Sequence, residues 1–333
     1  MADLVSLDEV RAAARRIAGV AVRTPLLEFR PAPFPLLVKP ESLQPTGAFK
    51  LRGAYNAVYA VTRDLNSCAV PEGVVAHSSG NHGFAVAYAA RLLGIRAAIV
   101  VPQNAPAVKT GAIEQAGAEL VRVEPTLAAR IAATDEIARV RGYHPVAPFD
   151  DRDVIAGQGT VGLEIAEDAA GWPRPPAAVL IPVGGGGLVS GTAVAVKALL
   201  PGTRVIGVEP ALAADARESL RTGQRVRWAP ADTARTKADS LRVEQVGELT
   251  FPHIQAYVDD IVTVSEEEML DAVRLLARRA RLIAEPGGAV AVAAALFRDP
   301  AELGLTSGQQ APVVAVVSGG NIDPALLANV LAV

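Results

Sequence analysis

The chain has 333 residues, half of them apolar, a formal net charge of −3 and one cysteine, Cys68. That length suits two modest domains or one large one, and the mildly acidic balance argues against nucleic acid or an anionic membrane as the principal partner. The single cysteine excludes an intrachain disulfide, no apolar run is long enough to span a bilayer, and residues 1–6 lack the basic start and apolar core of a signal peptide, so a cytoplasmic location is expected.

Ser6-Leu-Asp-Glu9 forms a capping box that predicts a helix ending near Gly19. Short extended pieces follow, then an apolar strand over 36–38, a polar turn with Pro45 and Gly47, and a helix from about 49 to 63. From residue 74 the pattern alternates: strand 74–77, helix 84–93, strand 97–101, helix 105–116, strand 119–123, helix 127–140 and helix 158–169. It resumes with strand 177–183, helix 188–200, strand 205–208 and strand 261–264. A second capping box, Ser265-Glu-Glu-Glu268, opens a helix to about 280, followed by helix 287–297, strand 313–317 and helix 324–330. Nearly continuous apolar strands between helices imply an α/β fold with parallel sheets covered on both faces. The stretch 213–253 is the least periodic and reads as a long irregular connection containing one helix, of the kind that often carries function.

Lys50 follows Ala48 and Phe49. A lysine in apolar company loses hydration, which lowers its pKa and supplies the neutral amine that Schiff-base chemistry needs. Taken alone, the stretch fits a lysine on a solvated face better. Three loops at the expected carboxyl ends of strands, where open parallel sheets bind ligands, change the balance. Ser78-Ser-Gly-Asn-His-Gly83 offers two hydroxyls, an amide and a helix N-terminus, a set suited to a carboxylate; His82 alone would be a structural hydrogen-bonder. Gly184-Gly-Gly-Gly187 frees the backbone to wrap an anion at the start of a helix. Its spacing is neither a Walker A loop nor the standard dinucleotide fingerprint, although Glu209 lies at about the distance where a nicotinamide-dependent oxidoreductase would place its ribose carboxylate. Ser318-Gly-Gly-Asn321 places a hydroxyl where it can contact a ring nitrogen, and also fits an ordinary strand-to-helix turn. One ligand uses all four stretches: pyridoxal phosphate, with an aldehyde for Lys50, a phosphate for the glycine loop, a pyridine nitrogen for Ser318 and an amino-acid carboxylate for the 78–83 loop.

With Pro45-Thr-Gly-Ala-Phe-Lys50-Leu-Arg-Gly-Ala54, these loops, Gly157-Gln-Gly-Thr160 and Ala284-Glu-Pro-Gly-Gly-Ala289, the chain resembles the fold-type II pyridoxal-phosphate enzymes over nearly its whole length. Within that tryptophan synthase β-like fold it is most similar to the serine/threonine dehydratase and serine racemase branch. The resemblance implies two α/β domains, residues 1–49 with 149–333 binding the cofactor and 50–148 inserted as a smaller domain. It implies that Lys50 carries the cofactor and acts as base on one face, with Phe49 against the ring. Asn81 is expected on the phenolic oxygen, Gly184, Gly185, Gly186, Gly187 and Leu188 on the phosphate, and Ser318 on the ring nitrogen. Ser78, Ser79, Asn81 and His82 are expected to hold the substrate carboxylate. Ser79 stands where racemases carry a second acid/base and many threonine dehydratases carry Ala, so it is either that base or a carboxylate ligand. Glu209, the carbonyl of Ala213 and Asp215 match a divalent-cation site of the racemase-like branch, with all-oxygen ligation suited to Mg²⁺, Ca²⁺ or Mn²⁺; a solvated helix start is the other reading of that stretch. The implied reaction is β-elimination from a 3-hydroxy amino acid, L-threonine or L-serine first, with serine racemisation and 3-hydroxyaspartate dehydration as alternatives, in a homodimer that lacks a regulatory extension. One departure is Ser240 in Thr236-Lys-Ala-Asp-Ser240, where the family carries Gly, and it bears on substrate identity.

Overall fold

Strand residues pair into two sheets because their apolar runs are short, β-branched and bounded by Gly, Pro and Asp. A computed structural model describes residues 4–63, 70–78, 80–105, 107–306, 308 and 310–332, so Cys68 and Ser79 lie outside the described residues. The strands are β1 (Leu27–Glu28), β2 (Leu36–Pro40), β3 (Gly73–His77), β4 (Arg96–Pro102), β5 (Glu119–Val123), β6 (Tyr143–Pro145), β7 (Ala178–Pro182), β8 (Arg204–Pro210), β9 (Asp260–Val264) and β10 (Val313–Val317). A six-stranded sheet has the order β1-β2-β10-β7-β8-β9 and a four-stranded sheet the order β5-β4-β3-β6. All neighbours run parallel except β1, which is antiparallel to β2. The α/β architecture is therefore the one expected, with helices on the sheet faces.

Most elements fall within a few residues of their expected places. The helix expected from 158 begins at Arg152, because the Asp151 side chain accepts from Val154 N at 2.8 Å and caps it there; Gly157 and Gly159 hid its first turns from a propensity reading. Strand β6 was not anticipated. Its Pro145 is tolerated because β6 is an edge strand, parallel to β3 with Val75 opposite Pro145. The stretch 213–253 holds more than one helix: Asp215–Thr222, Pro230–Thr233, a 3₁₀ turn at Asp239–Leu241 and the first turn of Thr250–Tyr257. Each is too short to display an amphipathic period over a usable window.

Helix Arg152–Ala169 sets the spacing of the two sheets. A Cβ at Gly157 would stand 2.6 Å from the Cα of Gly53 in helix Lys50–Arg63. A Cβ at Gly159 would stand 2.8 Å from the carbonyl oxygen of Gly191 in helix Gly187–Leu199, and one at Gly162 would stand 2.4 Å from that of Thr192. The helix thus touches, backbone to backbone, both the helix that begins at Lys50 and the helix that follows the glycine loop. The apolar core of the smaller sheet is built with Leu51, Ala54 and Val58 of helix Lys50–Arg63, together with Ile17 and Val154 from outside residues 50–148.

Candidate active site

Three adjacent parallel strands, β2, β10 and β7, lead at their carboxyl ends into the segment 41–49 that precedes Lys50, into Ser318 and into the glycine loop respectively. The segment before Lys50 is fastened to the end of β10: Phe49 N donates to Ser318 O at 3.0 Å, Gly320 N to Gly47 O at 2.8 Å, and Ala48 forms a bridge with Gly319. Gly47 has φ +71, a conformation that leaves the turn to glycine.

Lys50 is partly buried and its Nζ donates to the carbonyl of Pro148 at 2.5 Å, 5.1 Å from the centroid of the Phe49 ring. Burial pushes its ammonium down to about 8, while the Glu285 carboxylate pulls the other way. Phe149, next to Pro148, packs against the glycine loop: a Cβ at Gly185 would lie 2.2 Å from its ring. Gly186 has φ +96, so packing and backbone conformation already account for two of the four glycines. The N–H groups of Gly184 to Gly187 find no acceptor among the described residues, and helix Gly187–Leu199 has no side-chain cap. An anion is the natural partner for such a helix start. Thr250 braces the loop from behind, its Oγ1 donating to Gly185 O at 2.7 Å, and Asp150 holds Leu249 N at 2.7 Å. Leu188 directs its side chain into the core and can contribute only its backbone to the loop.

Asn81 opens helix Asn81–Leu93, which also has no side-chain cap. Its Nδ2 donates to Glu285 Oε1 at 2.7 Å, and its Oδ1 accepts from Asn321 Nδ2 at 2.7 Å. The Ser78 hydroxyl accepts from Gly80 N at 3.2 Å. His82 is buried, with Nε2 2.9 Å from Val146 O, and burial pushes its imidazolium down to about 3. The ring is neutral and points into the protein, so only the backbone N–H of His82 is left for a carboxylate. The position of Ser79, the residue expected opposite Lys50, lies outside the described residues. Ser240 Oγ occupies the space that a Cβ on Gly287 would fill, at 2.3 Å, which shows how a side chain is accommodated at this position.

This arrangement has relatives. The family model for pyridoxal-phosphate dependent enzymes matches residues 17–319. The chain belongs to that family. A serine racemase of Dictyostelium discoideum is 37% identical over 98% of this chain and 98% of its own length. An L-threo-3-hydroxyaspartate ammonia-lyase of Saccharomyces cerevisiae is also 37% identical, over 95% of this chain and 93% of its own. Among solved structures, a threonine deaminase from T.th. superposes with a TM-score of 0.86 at 44% identity, covering 96% of this chain and 99% of that one.

For a pyridoxal-phosphate enzyme, the nicotinamide alternative fails on geometry as well as on family. Glu209 is fully buried and takes the N–H groups of Ala216 at 3.0 Å and Arg217 at 2.8 Å, so it has no ribose to read. Asp215 is fully buried too, and neither of its carboxylate oxygens has a hydrogen-bond partner. Burial pushes the Asp215 carboxyl up to about 7, and burial together with Asp215 raises Glu209 well above the usual carboxylate range. The helix start at 215 is therefore not the solvated one that the sequence also allowed. Among the described residues no group of three or more His, Cys, Asp and Glu side chains gathers as a metal cluster, so a cation here would need the Ala213 carbonyl and water as further donors.

Sequence reading missed four groups at this site: Glu285, the side-chain role of Asn321, the Pro148 carbonyl and the ring of Phe149. Glu285 and Asn321 both sit inside motifs that carry the family resemblance, and that was the available signal. The other two follow an unpatterned loop and had none.

Proposed function

We propose that the chain is an ammonia-lyase that eliminates water from a 3-hydroxy amino acid, L-threonine or L-serine first, to give a 2-oxo acid and ammonia. The observation that carries this reading is the meeting, beyond the carboxyl ends of strands from both sheets, of a lysine with its pKa lowered to about 8, unpartnered glycine-loop amides and a helix start at Asn81. Bound at Lys50, the cofactor supplies an electron sink for the pair left when the Cα–H bond breaks. Lys50 Nζ takes the Cα proton. The amides of Gly184 to Gly187 and of Leu188 would hold the phosphate, Ser318 would serve the ring nitrogen as a neutral partner, Asn81 would donate to the phenolic oxygen and Phe49 would pack against the ring. Ser78, Ser79, the Asn81 start and the backbone of His82 orient the substrate carboxylate. The Cβ–O bond breaks as the β-hydroxyl leaves as water, with the proton that Lys50 Nζ took from Cα given to it, and hydrolysis of the released enamine yields the oxo acid and ammonia.

The same reading divides the chain at 49/50 and 148/149 into a cofactor-binding part and a smaller inserted part, and takes the protein as a cytoplasmic homodimer. Among the described residues no helix is long and apolar enough to cross a membrane. It also assigns Mg²⁺, Ca²⁺ or Mn²⁺ to Glu209, Asp215 and the Ala213 carbonyl. The support is the pair of buried Asp215 oxygens without a hydrogen-bond partner beside a second buried carboxyl, where a cation would offset the cost of ionising both.

Racemisation is the second reading, favoured by Ser79 in place of Ala and by the racemase relative. Purified protein with pyridoxal phosphate and Mg²⁺ is offered L- and D-serine, L- and D-threonine and 3-hydroxyaspartate, and both oxo acid and enantiomer are measured. Oxo acid from an L-hydroxy amino acid, lost in Lys50→Ala, is the expected result. Full turnover by Lys50→Ala would overturn the mechanism. Enantiomer in excess of oxo acid, lost in Ser79→Ala, would make the protein a racemase.

A further inference from the structure

The side-chain amide of Asn81 is the end of a directional chain of hydrogen bonds. Asn321 Nδ2 donates to the carbonyl of Thr46 at 2.9 Å and to Asn81 Oδ1 at 2.7 Å. A peptide carbonyl can only accept, so the atom of Asn321 facing Thr46 is nitrogen, and both of its protons are committed. The atom of Asn81 facing Asn321 is then the oxygen, which turns Asn81 Nδ2 toward Glu285 Oε1 at 2.7 Å. Turning Asn81 over would set two N–H groups against each other and an amide oxygen against a carboxylate. The pieces come from four separate segments, and glycine lets them meet. A Cβ at Gly47 would stand 2.3 Å from Asn321 Oδ1, and one at Gly319 would stand 2.7 Å from Glu285 Oε1 and 3.3 Å from Asn81 Nδ2.

We propose that Asn321 and Glu285 are positioning residues that fix the polarity of Asn81, so that it presents a proton donor, never an acceptor, to the phenolic oxygen of pyridoxal phosphate. This rests on the pyridoxal-phosphate reading above. A donor at that oxygen stabilises its ionised form, whereas an acceptor there demands the protonated one. The second N–H of Asn81 is the group left to donate.

Asn321→Asp tests the lock at constant shape. The substituted carboxylate accepts where the Asn321 amide donated, so Asn81 turns over and its oxygen faces Glu285 and the cofactor. Glu285→Gln keeps an acceptor oxygen for Asn81 and removes a negative charge, so it leaves the lock closed. The readout is the pH titration of the visible absorbance of the protein-bound cofactor, with its dissociation constant from titration of the apoprotein. For N321D the balance shifts toward the form with a neutral phenolic oxygen, and the cofactor binds roughly tenfold more weakly, the equivalent of about one pKa unit. For E285Q the balance does not move in that direction. Asn321→Ala, which only releases Asn81, shifts it the same way as N321D by a smaller amount and decides the matter where N321D does not fold. A titration of N321D and N321A within twofold of the parent, or displacement of N321D and E285Q in the same direction, overturns the lock alone. Absence of any visible band in the parent protein overturns the cofactor reading and the lock together.

Discussion

Two clusters of buried charge behave in opposite ways. Behind Lys50, Arg52 is fully buried between Glu41 and Glu164. It gives Nε to Glu41 Oε2 at 2.7 Å, Nη2 to Glu41 Oε1 at 2.9 Å and Nη1 to Glu164 Oε1 at 2.6 Å. Lys39 adds its Nζ to Glu164 Oε2 and to the carbonyl of Thr24, both at 2.6 Å, while Thr24 and Gln44 donate to Glu41. Burial would raise the Glu41 carboxyl, but the Arg52 guanidinium overrides it and holds it below the usual range. Two cations balance two carboxylates. Around Asp215 two buried carboxylates face each other: Glu209 takes two backbone amides, while neither Asp215 oxygen has a hydrogen bond and no cationic side chain pairs with either carboxylate at contact distance among the described residues. A buried charge is stable only when paired and hydrogen-bonded. The first cluster is therefore complete as structure, joining the Lys50 segment to helix Arg152–Ala169, whereas the second leaves its carboxyls raised by burial and by each other.

Removing one member of the balanced cluster gives the largest expected effect. Arg52→Met strands two carboxylates and should cost about 3–5 kcal/mol, read as a lower urea midpoint of the apoprotein. A loss below about 1 kcal/mol would show that the cluster is not a closed unit. For the unbalanced cluster the prediction runs the other way. Mg²⁺ at a hundredfold its dissociation constant should stabilise the parent by about 2.7 kcal/mol, and Asp215→Asn should lose that gain while being at least as stable as the parent in chelator. A parent indifferent to Mg²⁺, Ca²⁺ and Mn²⁺ removes the cation from the proposal.

The comparison is sharpened by asking how much of the rigidity behind Lys50 comes from ions and how much from close packing. Gly157→Ala forces a Cβ to 2.6 Å from the Gly53 Cα, and overpacking of this kind costs about 1–3 kcal/mol. Calorimetry showing no shift would mean that the backbone contact at Gly157 adds nothing to the hydrogen bonds and ion pairs that also join the two helices. Lys50 lies between the two cases, with a carbonyl partner at 2.5 Å and Glu285 acting through space. Its pKa of about 8 leaves roughly a tenth of it neutral at pH 7, against about one part in 3000 for an ordinary lysine. Cofactor uptake by the apoprotein should therefore rise with pH through about 8 and then level off. A rise continuing toward 10 would mean that burial does not tune this amine. Because the folded pKa is depressed, the neutral form favours folding, and the apoprotein gains stability as pH rises from about 8 toward the unfolded value.

The alternation of apolar strands and helices was legible residue by residue, as were both capping boxes, the lysine and the three loops, because each depends on local chemistry: period, cap and glycine. The short helices of 213–253 and the edge strand β6 were not, since neither offers enough residues for a period to show. Within the candidate site, the sequence by itself determined which residue types gather near the cofactor lysine. It could not show that His82 turns its ring onto Val146 and keeps only its backbone for a carboxylate. It also left undecided whether Glu209 and Asp215 were surface charges or a buried pair, and whether Arg52 was solvated or clasped. Tertiary structure decided those points. Burial, and the partner a charge finds once buried, depend on which distant segments meet it: Arg52 meets Glu164 from 112 positions away, and Asn81 meets Glu285 from 204. Local periodicity carries no record of such pairings, so the same side chain can be a solvated surface group in one fold and the centre of a closed network in another.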